Sequence, residues 1–225
     1  MKKGKHPFFN IMMTVVLFLF ILTAAVSLVI YFRPLYYIVI KLMKIPEKTG
    51  YSFEVCRRNY NILIDYNLLF GPKKLEFMDF PMSVKGTIHF AEVKDIFVAI
   101  QITAISTMVL TVAGYLYSKK IRDYKWLKWT IILAVIVVVT VGGMLAFDWD
   151  GTFTLMHELL FDNDYWLFDP NTDPIIYVLP DTFFLACAAM ILVFMTLGLV
   201  LSGCLYRKHH RGPGKAYPKK TGRKK

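Results

Sequence analysis

The chain has 225 residues, of which 56% are hydrophobic, 16% aromatic and only 19% charged, yet its formal net charge is +11. A soluble domain carries about a quarter charged residues, a disordered one is neither apolar nor aromatic, and a basic nucleic-acid binder does not reach a mean hydropathy of +0.47. What remains is a protein whose apolar residues face lipid.

Residues 1–5 carry Lys2, Lys3 and Lys5 and read as a cytoplasmic N-terminus. Residues 6–32 contain no Asp, Glu, Lys or Arg, which satisfies the roughly 20 apolar residues a helix needs to cross a bilayer core. The run far exceeds the apolar stretch of a signal peptide, so an uncleaved first span is expected. Residues 33–95 form a first extracellular cap segment. Within it, 53–70 read as an amphipathic helix, with Val55, Ile62, Tyr66, Leu69 and Phe70 near one face and Gly71-Pro72 as its stop. Ser83 is placed to cap a helix that runs through His89 and Glu92 into the second span, 96–118. Gln101, inside that span, needs a hydrogen-bonding partner on a neighbouring element. A cytoplasmic loop, 119–128, leads to the third span, 129–147, with Trp126 and Trp129 at one end and Trp149 beyond the other, as in aromatic belts. The second cap segment, 148–181, opens with a short helix begun at Asp150 or Thr152 that carries Leu155, His157, Leu160 and Phe161. The fourth span, 182–206, places Gly198 and Ser202 four apart, the spacing of a close helix contact. A basic tail, 207–225, follows.

Charge sets the expected orientation. Residues 1–5, 119–128 and 207–225 hold 17 of the 27 cations against a single acid, Asp123. The positive-inside bias puts these segments, and both ends of the chain, in the cytoplasm, where the tail also meets anionic headgroups. The two cap segments hold 17 aromatic residues in 97 positions and 15 of the 16 acids. The expected fold class is an all-α integral membrane protein: four transmembrane helices under an extracellular, mostly helical, aromatic-rich cap. No internal repeat or sizeable β pattern competes with it.

Few residues are placed for chemistry. Cys187 and Cys204 lie in the fourth span and Cys56 stands alone in the cap, which makes no disulfide framework. Cys56 as a nucleophile, with Arg57 and Arg58 lowering its pKa, is one alternative. His6, His209 and His210 belong to cytoplasmic ends. His89 and His157 are the two outside, each within two or three turns of a span, so both reach the plane between cap and bilayer and a shared site is expected. Lys85 is placed to hold His89 neutral, and Glu158 or Asp164 to raise the pKa of His157. A metal-dependent hydrolase is a rival. His157-Glu158 opens a His-Glu-x-x-His motif, but position 161 is Phe, which leaves His89, Glu92 and His157 as ligands. The acids of residues 148–173 form a roof that attracts a cation such as an α-ammonium. A non-enzymatic membrane scaffold or sensor is a third class, and it gives no reason for two interfacial histidines.

Two blocks add a resemblance. Asn59-Tyr60 with Ser83-x-x-Gly86-x-x-His89-Phe90-x-Glu92-Val93-Lys94 is the first. Phe161-Asp162-Asn163-Asp164-Tyr165-Trp166-x-x-Asp169-Pro170-x-x-Asp173, followed by Leu179-Pro180-Asp181-x-Phe183-Phe184, is the second. Together with the four spans, they resemble the lipoprotein intramolecular transacylases, bacterial membrane enzymes that make lyso-form lipoproteins. The likeness covers most of the chain apart from the tail. It implies an acyltransferase of the bacterial plasma membrane, active on the extracellular side. Such an enzyme moves the sn-2 acyl chain of a diacylglyceryl lipoprotein to the α-amino group of the lipoprotein's own N-terminal cysteine. The resemblance implies His89 and His157 as the catalytic pair. Tyr60, Tyr66, Phe90, Phe161, Trp166 and Phe183 are expected to bind substrate, with Asn59, Glu92, Asn163 and Asp169 as supporting polar groups. No metal, cofactor or nucleic acid is expected; diacylated lipoproteins and membrane lipids are the expected partners. Imidazole suits the aminolysis of an ester at neutral pH, and no Ser or Cys nucleophile is required when donor and acceptor share one molecule.

Overall fold

The computed structural model describes residues 6–210, so the cations of residues 1–5 and most of the basic tail lie outside the described residues. Eight α-helices and one 3-10 turn (Pro174–Tyr177) are present, with no strand among the described residues. In chain order the helices are α1 (Pro7–Tyr31), α2 (Pro34–Leu42), α3 (Ile45–Thr49), α4 (Phe53–Tyr66), α5 (Val84–Ile121), α6 (Lys125–Phe147), α7 (Trp149–Leu160) and α8 (Asp181–His210). Among the described residues, α1, α5, α6 and α8 are long and apolar enough to cross a membrane, and each overlaps one of the four expected spans.

These four helices pack as a bundle, with α1 lying along α5, α6 and α8. Met13, Leu17, Ile21, Ala25 and Val29 recur every four residues on α1 and form its buried stripe. Helices in lipid gain little from the hydrophobic effect against one another, so close backbone approach takes over. Gly198 lets Ile21 settle onto α8, where an added Cβ would stand 2.9 Å from its side chain, and Gly114 of α5 does the same for Met13. Ser202, expected beside Gly198, is buried and donates to the Gly198 carbonyl at 2.8 Å. The outward faces carry Ile105, Val109, Val112, Ile132, Val139, Leu197 and Leu201, an apolar girdle whose solvent is hydrocarbon. At one end of the bundle, Asn10 donates to Asp123 at 2.9 Å and accepts the Trp126 backbone N–H at 3.0 Å. The Trp126 indole donates to Ser118 at 2.9 Å, so the α5–α6 turn is fastened to the start of α1.

The remaining elements gather at the other end as a cap. Its core is built on Tyr36, which stacks on Tyr60 with ring centroids 3.9 Å apart and donates its hydroxyl to the Val178 carbonyl at 2.7 Å. Ile40, Ile64, Phe90, Ile175 and Phe183 complete it. An aromatic pair of this kind is worth about 0.5–1.5 kcal/mol beyond its burial. Helix starts follow local chemistry. Ser52 caps α4 by accepting from Val55 N–H, and Ser83 caps α5 by accepting from Gly86 N–H at 2.9 Å, as its position predicts. At α7 the cap is Asp148, which accepts from Gly151 N–H at 2.9 Å, two residues before Asp150 and four before Thr152. A single residue thus ends α6 and begins α7.

The amphipathic helix expected over 53–70 stops at Tyr66, and Phe70, expected on its buried face, is 94% exposed. The reason is Gln101. Its side-chain amide donates to the Asn67 carbonyl at 2.9 Å and to the Phe97 carbonyl at 3.0 Å. Its oxygen accepts from Leu69 N–H at 3.1 Å and from the Tyr31 hydroxyl at 2.7 Å. The backbone that leaves α4 therefore runs down beside α5, and one side chain satisfies its polar groups at a depth where water is scarce. Gly71 closes the turn, since a Cβ there would collide with the Asp65 and Tyr66 carbonyl oxygens. The Lys94 ammonium caps the segment through the Gly71 and Pro72 carbonyls while lying 4.2 Å from the centre of the Tyr66 ring. Gln101→Leu strands two backbone groups at about 1–3 kcal/mol each. The expected result is a melting temperature lowered by about 5–15 °C in detergent, read by thermal unfolding of the purified protein; an unchanged value would show that the α4 exit is held by other contacts.

Candidate active site

Two elements bring the histidines together. α5 has 38 residues, about 57 Å of helix against a hydrocarbon core of about 30 Å, so its first turns project into the cap and carry His89 there. α7 presents His157 on the face opposite Leu155 and Leu159, which are exposed. The two rings face each other with centroids 6.1 Å apart and planes inclined by 31°. Both side chains are buried, at 6% and 8% exposure. One substrate atom hydrogen-bonded to both rings needs ring nitrogens within about 6 Å of each other, the scale on which the two centroids are separated.

The walls are aromatic. Phe161 lies 4.7 Å from His89 and 5.7 Å from His157, centroid to centroid. Phe168 packs 5.4 Å from His89, while Trp166 stacks on His157 at 4.6 Å and Phe153 flanks it at 4.2 Å. His157 Nδ1 lies 2.8 Å from the Phe153 carbonyl, four residues back on α7. A carbonyl only accepts, so Nδ1 carries the proton and Nε2 keeps its lone pair. His89 Nδ1 is buried with no hydrogen-bond partner among the described residues.

Burial sets the charge of this pair. Desolvation, with a smaller contribution from the neighbouring His157, pushes the His89 pKa down to about 4. Desolvation also lowers that of His157, opposed in part by the bond to Phe153. Both rings are therefore neutral at pH 7. Lys85 does not set the state of His89, nor Asp164 that of His157: these two side chains pair with each other at 3.6 Å, both largely exposed. Glu158 points to solvent.

The other expected site residues divide. Phe90 packs against His89 and Phe168. Phe161 and Trp166 line the pair directly. Glu92, one turn beyond His89, accepts from Asn163 Nδ2 at 2.8 Å, and Asn163 in turn accepts from Tyr165 N–H at 3.0 Å. Tyr60 and Phe183 instead belong to the cap core around Tyr36, and Tyr66 lies under Lys94. Asn59 is structural: it accepts from Met78 and Asp79 N–H groups and donates to Asp79. Asp169 ties the 169–173 turn by accepting from Asn171. Phe153 and Phe168 were missed. Phe153 stands four residues before His157, so helical spacing contains it, whereas Phe168 follows an irregular segment with no period to read. Asp173, 2% exposed, accepts from Ser83 N–H at 2.8 Å and from the Thr172 hydroxyl at 2.7 Å, which fixes the start of α5.

The rival chemistries find less support. Cys56 is fully buried, and burial raises its thiol pKa. Arg57 and Arg58, expected to lower it, pair with Glu54 and Asp79. Among the described residues no three His, Cys, Asp or Glu side chains converge as metal ligands.

The family model described as lipoprotein intramolecular transacylase Lit matches residues 11–184. The solved membrane-integral lipoprotein intramolecular transacylase Lit from Bacillus cereus is similar, with 35% identity over 89% of this chain and 94% of that one and a TM-score of 0.86. Histidine-to-alanine and histidine-to-arginine variants of that protein match at the same identity, with TM-scores of 0.79 and 0.75, over 89% of this chain and 91% of theirs. No curated protein sequence matches. The family match stops at the start of α8 but includes the elements that join His89 to His157: the chain belongs to the lipoprotein intramolecular transacylase family of multi-pass membrane acyltransferases.

Proposed function

We propose that this protein moves the sn-2 acyl chain of a diacylglyceryl-modified lipoprotein to the α-amino group of the lipoprotein's own N-terminal cysteine, using His157 as base and His89 as oxyanion partner. The observation that carries this reading is the buried, neutral, mutually facing histidine pair in an aromatic wall, 6.1 Å apart. The cationic α5–α6 turn that starts at Lys119 and Lys120, about 45 Å along α5 from His89, supports a site on the extracellular side.

The chemistry follows from the geometry. The neutral amine attacks the ester carbonyl carbon, forming the C–N bond. His157 Nε2, held as an acceptor by the Phe153 bond, takes the proton from nitrogen. His89, kept neutral by burial, donates a hydrogen bond to the carbonyl oxygen as its charge develops. When the C–O bond breaks, the proton on His157 passes to the glyceryl oxygen, so protons balance and both rings return to neutral. Holding donor and acceptor in one mould contributes roughly 7–11 kcal/mol, more than the about 10²–10⁴-fold from acid–base help. Phe161, Phe168 and Trp166, which fix the rings and exclude water, thus matter as much as the histidines.

His89→Ala and His157→Ala are each expected to lower turnover of a diacylated lipopeptide by about 10²–10⁴-fold, read by mass spectrometry, with helical content unchanged. Near wild-type conversion by either variant removes that histidine from the reaction. Cys56→Ser should leave turnover within about twofold, since no thioester is formed.

The depressed histidine pKa values also fix the pH profile. A histidine with a lowered pKa stays neutral as pH falls through 6.5, so the acid limb belongs to the substrate amine. Log kcat/KM should rise with unit slope and bend near the amine pKa of about 8. A slope that steepens toward two between pH 6.5 and 5 would mean that an imidazole titrates near its ordinary value and would overturn the neutral-pair assignment.

A further inference from the structure

The mechanism above leaves one buried group of the site without a role. Glu92 sits one turn beyond His89 on α5, about 4.5 Å along the helix axis. Its Oε1 accepts from Asn163 Nδ2 at 2.8 Å. Its Oε2 is buried and has no hydrogen-bond partner among the described residues. A carboxylate oxygen enclosed without a donor is expensive unless a ligand supplies one. Asn163 follows Phe161 by two residues, and the Phe161 ring lies 4.7 Å from His89, so the clamp that holds Glu92 is part of the same wall as the histidines.

The substrate brings the missing donor. An α-amino group with a pKa of about 8 is largely an ammonium at pH 7, and it must enter an aromatic enclosure where both imidazoles are neutral. Other nearby acids are engaged or face solvent. Asp164 pairs with Lys85, Asp173 is taken by Ser83 and Thr172, Asp169 is bonded to Asn171, and Asp162 and Glu158 are exposed. Lys94, the nearest cation along α5, turns away to the Gly71 and Pro72 carbonyls.

We propose that Glu92 Oε2 is the seat of the substrate's α-ammonium group, held open by Asn163, and that it selects lipopeptides with a free N-terminal amine. The seat accepts an N–H from the ammonium on arrival and keeps that bond after the amine has released its first proton to bulk water, so the neutral nitrogen remains beside the histidine pair and its second proton, shed after attack, goes to His157. The assignment rests on the transacylase reading above. Because a carboxylate stabilises the charged amine, Glu92 raises the amine's pKa in the complex, and its removal moves the acid limb of kcat toward lower pH.

Glu92→Gln tests this, since the amide oxygen still accepts from Asn163 while the charge is lost. With a diacylglyceryl-cysteine lipopeptide as the probe, KM should rise by about 10–100-fold, as for the loss of a charge-assisted hydrogen bond. The acid limb of kcat should shift down in pH, which a purely structural role of Glu92 would not produce. Unchanged KM with an unmoved limb overturns the proposal. Should E92Q not fold, the wild-type protein decides: a diacylglyceryl peptide lacking the α-amino group should inhibit with a Ki at least about tenfold above the KM of the amine substrate, and equal affinity overturns the seat. Failure of the underlying reading looks different, because wild-type protein would then not N-acylate the lipopeptide, or the histidine variants would remain active.

Discussion

The architecture depends on α5 being too long for the membrane it crosses. A helix of 38 residues leaves roughly five turns beyond the hydrocarbon, most of them at its cap end. Those turns are not an idle overhang. Ser83 caps their tip, Asp173 binds the capping backbone, and Gly86 leaves room for the Asp173 carboxylate, which a Cβ would strike. Farther along, Lys94 and Gln101 hold the returning backbone after α4. A single rigid rod thereby sets the height of His89 and Glu92 above the bundle, and the cap is assembled around it.

Desolvation then does two jobs at once. The aromatic residues that enclose the histidines stabilise the cap by burial and also hold both rings uncharged, which a base and an oxyanion donor each require. Sequence neighbours suggested that charges would do this tuning. Lys85 and Asp164 stand near the histidines in sequence, but long flexible side chains at the surface find each other and water, leaving apolar walls to act. In a transacylase, apolar walls also suit acyl chains.

The legibility of the sequence followed the range of the interaction. Spans were readable because a charge within a span is costly wherever it occurs, so an uncharged run is a local signature. The helix start at Ser83 was equally local, and the α7 cap was read two to four residues late because Asp148, Asp150 and Thr152 all offer capping oxygens. His89 and His157 could be singled out by elimination, although no spacing rule joins residues 68 apart. What could not be read were contacts made across the fold: Gln101 with the exit of α4, Asp173 with Ser83, and Phe168 with His89. Their partners lie 32 to 90 positions away along the chain, and nothing in either local segment encodes the other. The same limit placed Tyr60 and Phe183 in the site when they pack on Tyr36. Aromatic residues in one cap look alike in sequence whether they line a substrate or a core.

The Glu92–Asn163 hydrogen bond joins the two halves that sequence left separate. One partner lies on the rod that crosses the membrane, the other in the irregular segment after α7, 71 positions on. Phe161 and Trp166, on either side of Asn163, pack against His89 and His157 respectively. A shift of this segment would therefore move the wall and the carboxylate together. An enzyme with a covalent nucleophile fixes its intermediate by a bond and tolerates some looseness around it. Here the one cysteine of the cap segments is buried with its thiol pKa raised, and the proposed reaction makes no bond to the protein. Rate must then come from holding an ester and an amine within near-attack distance, so the hydrogen bonds and ring contacts that tie α5 to the 161–173 segment are themselves the catalytic investment.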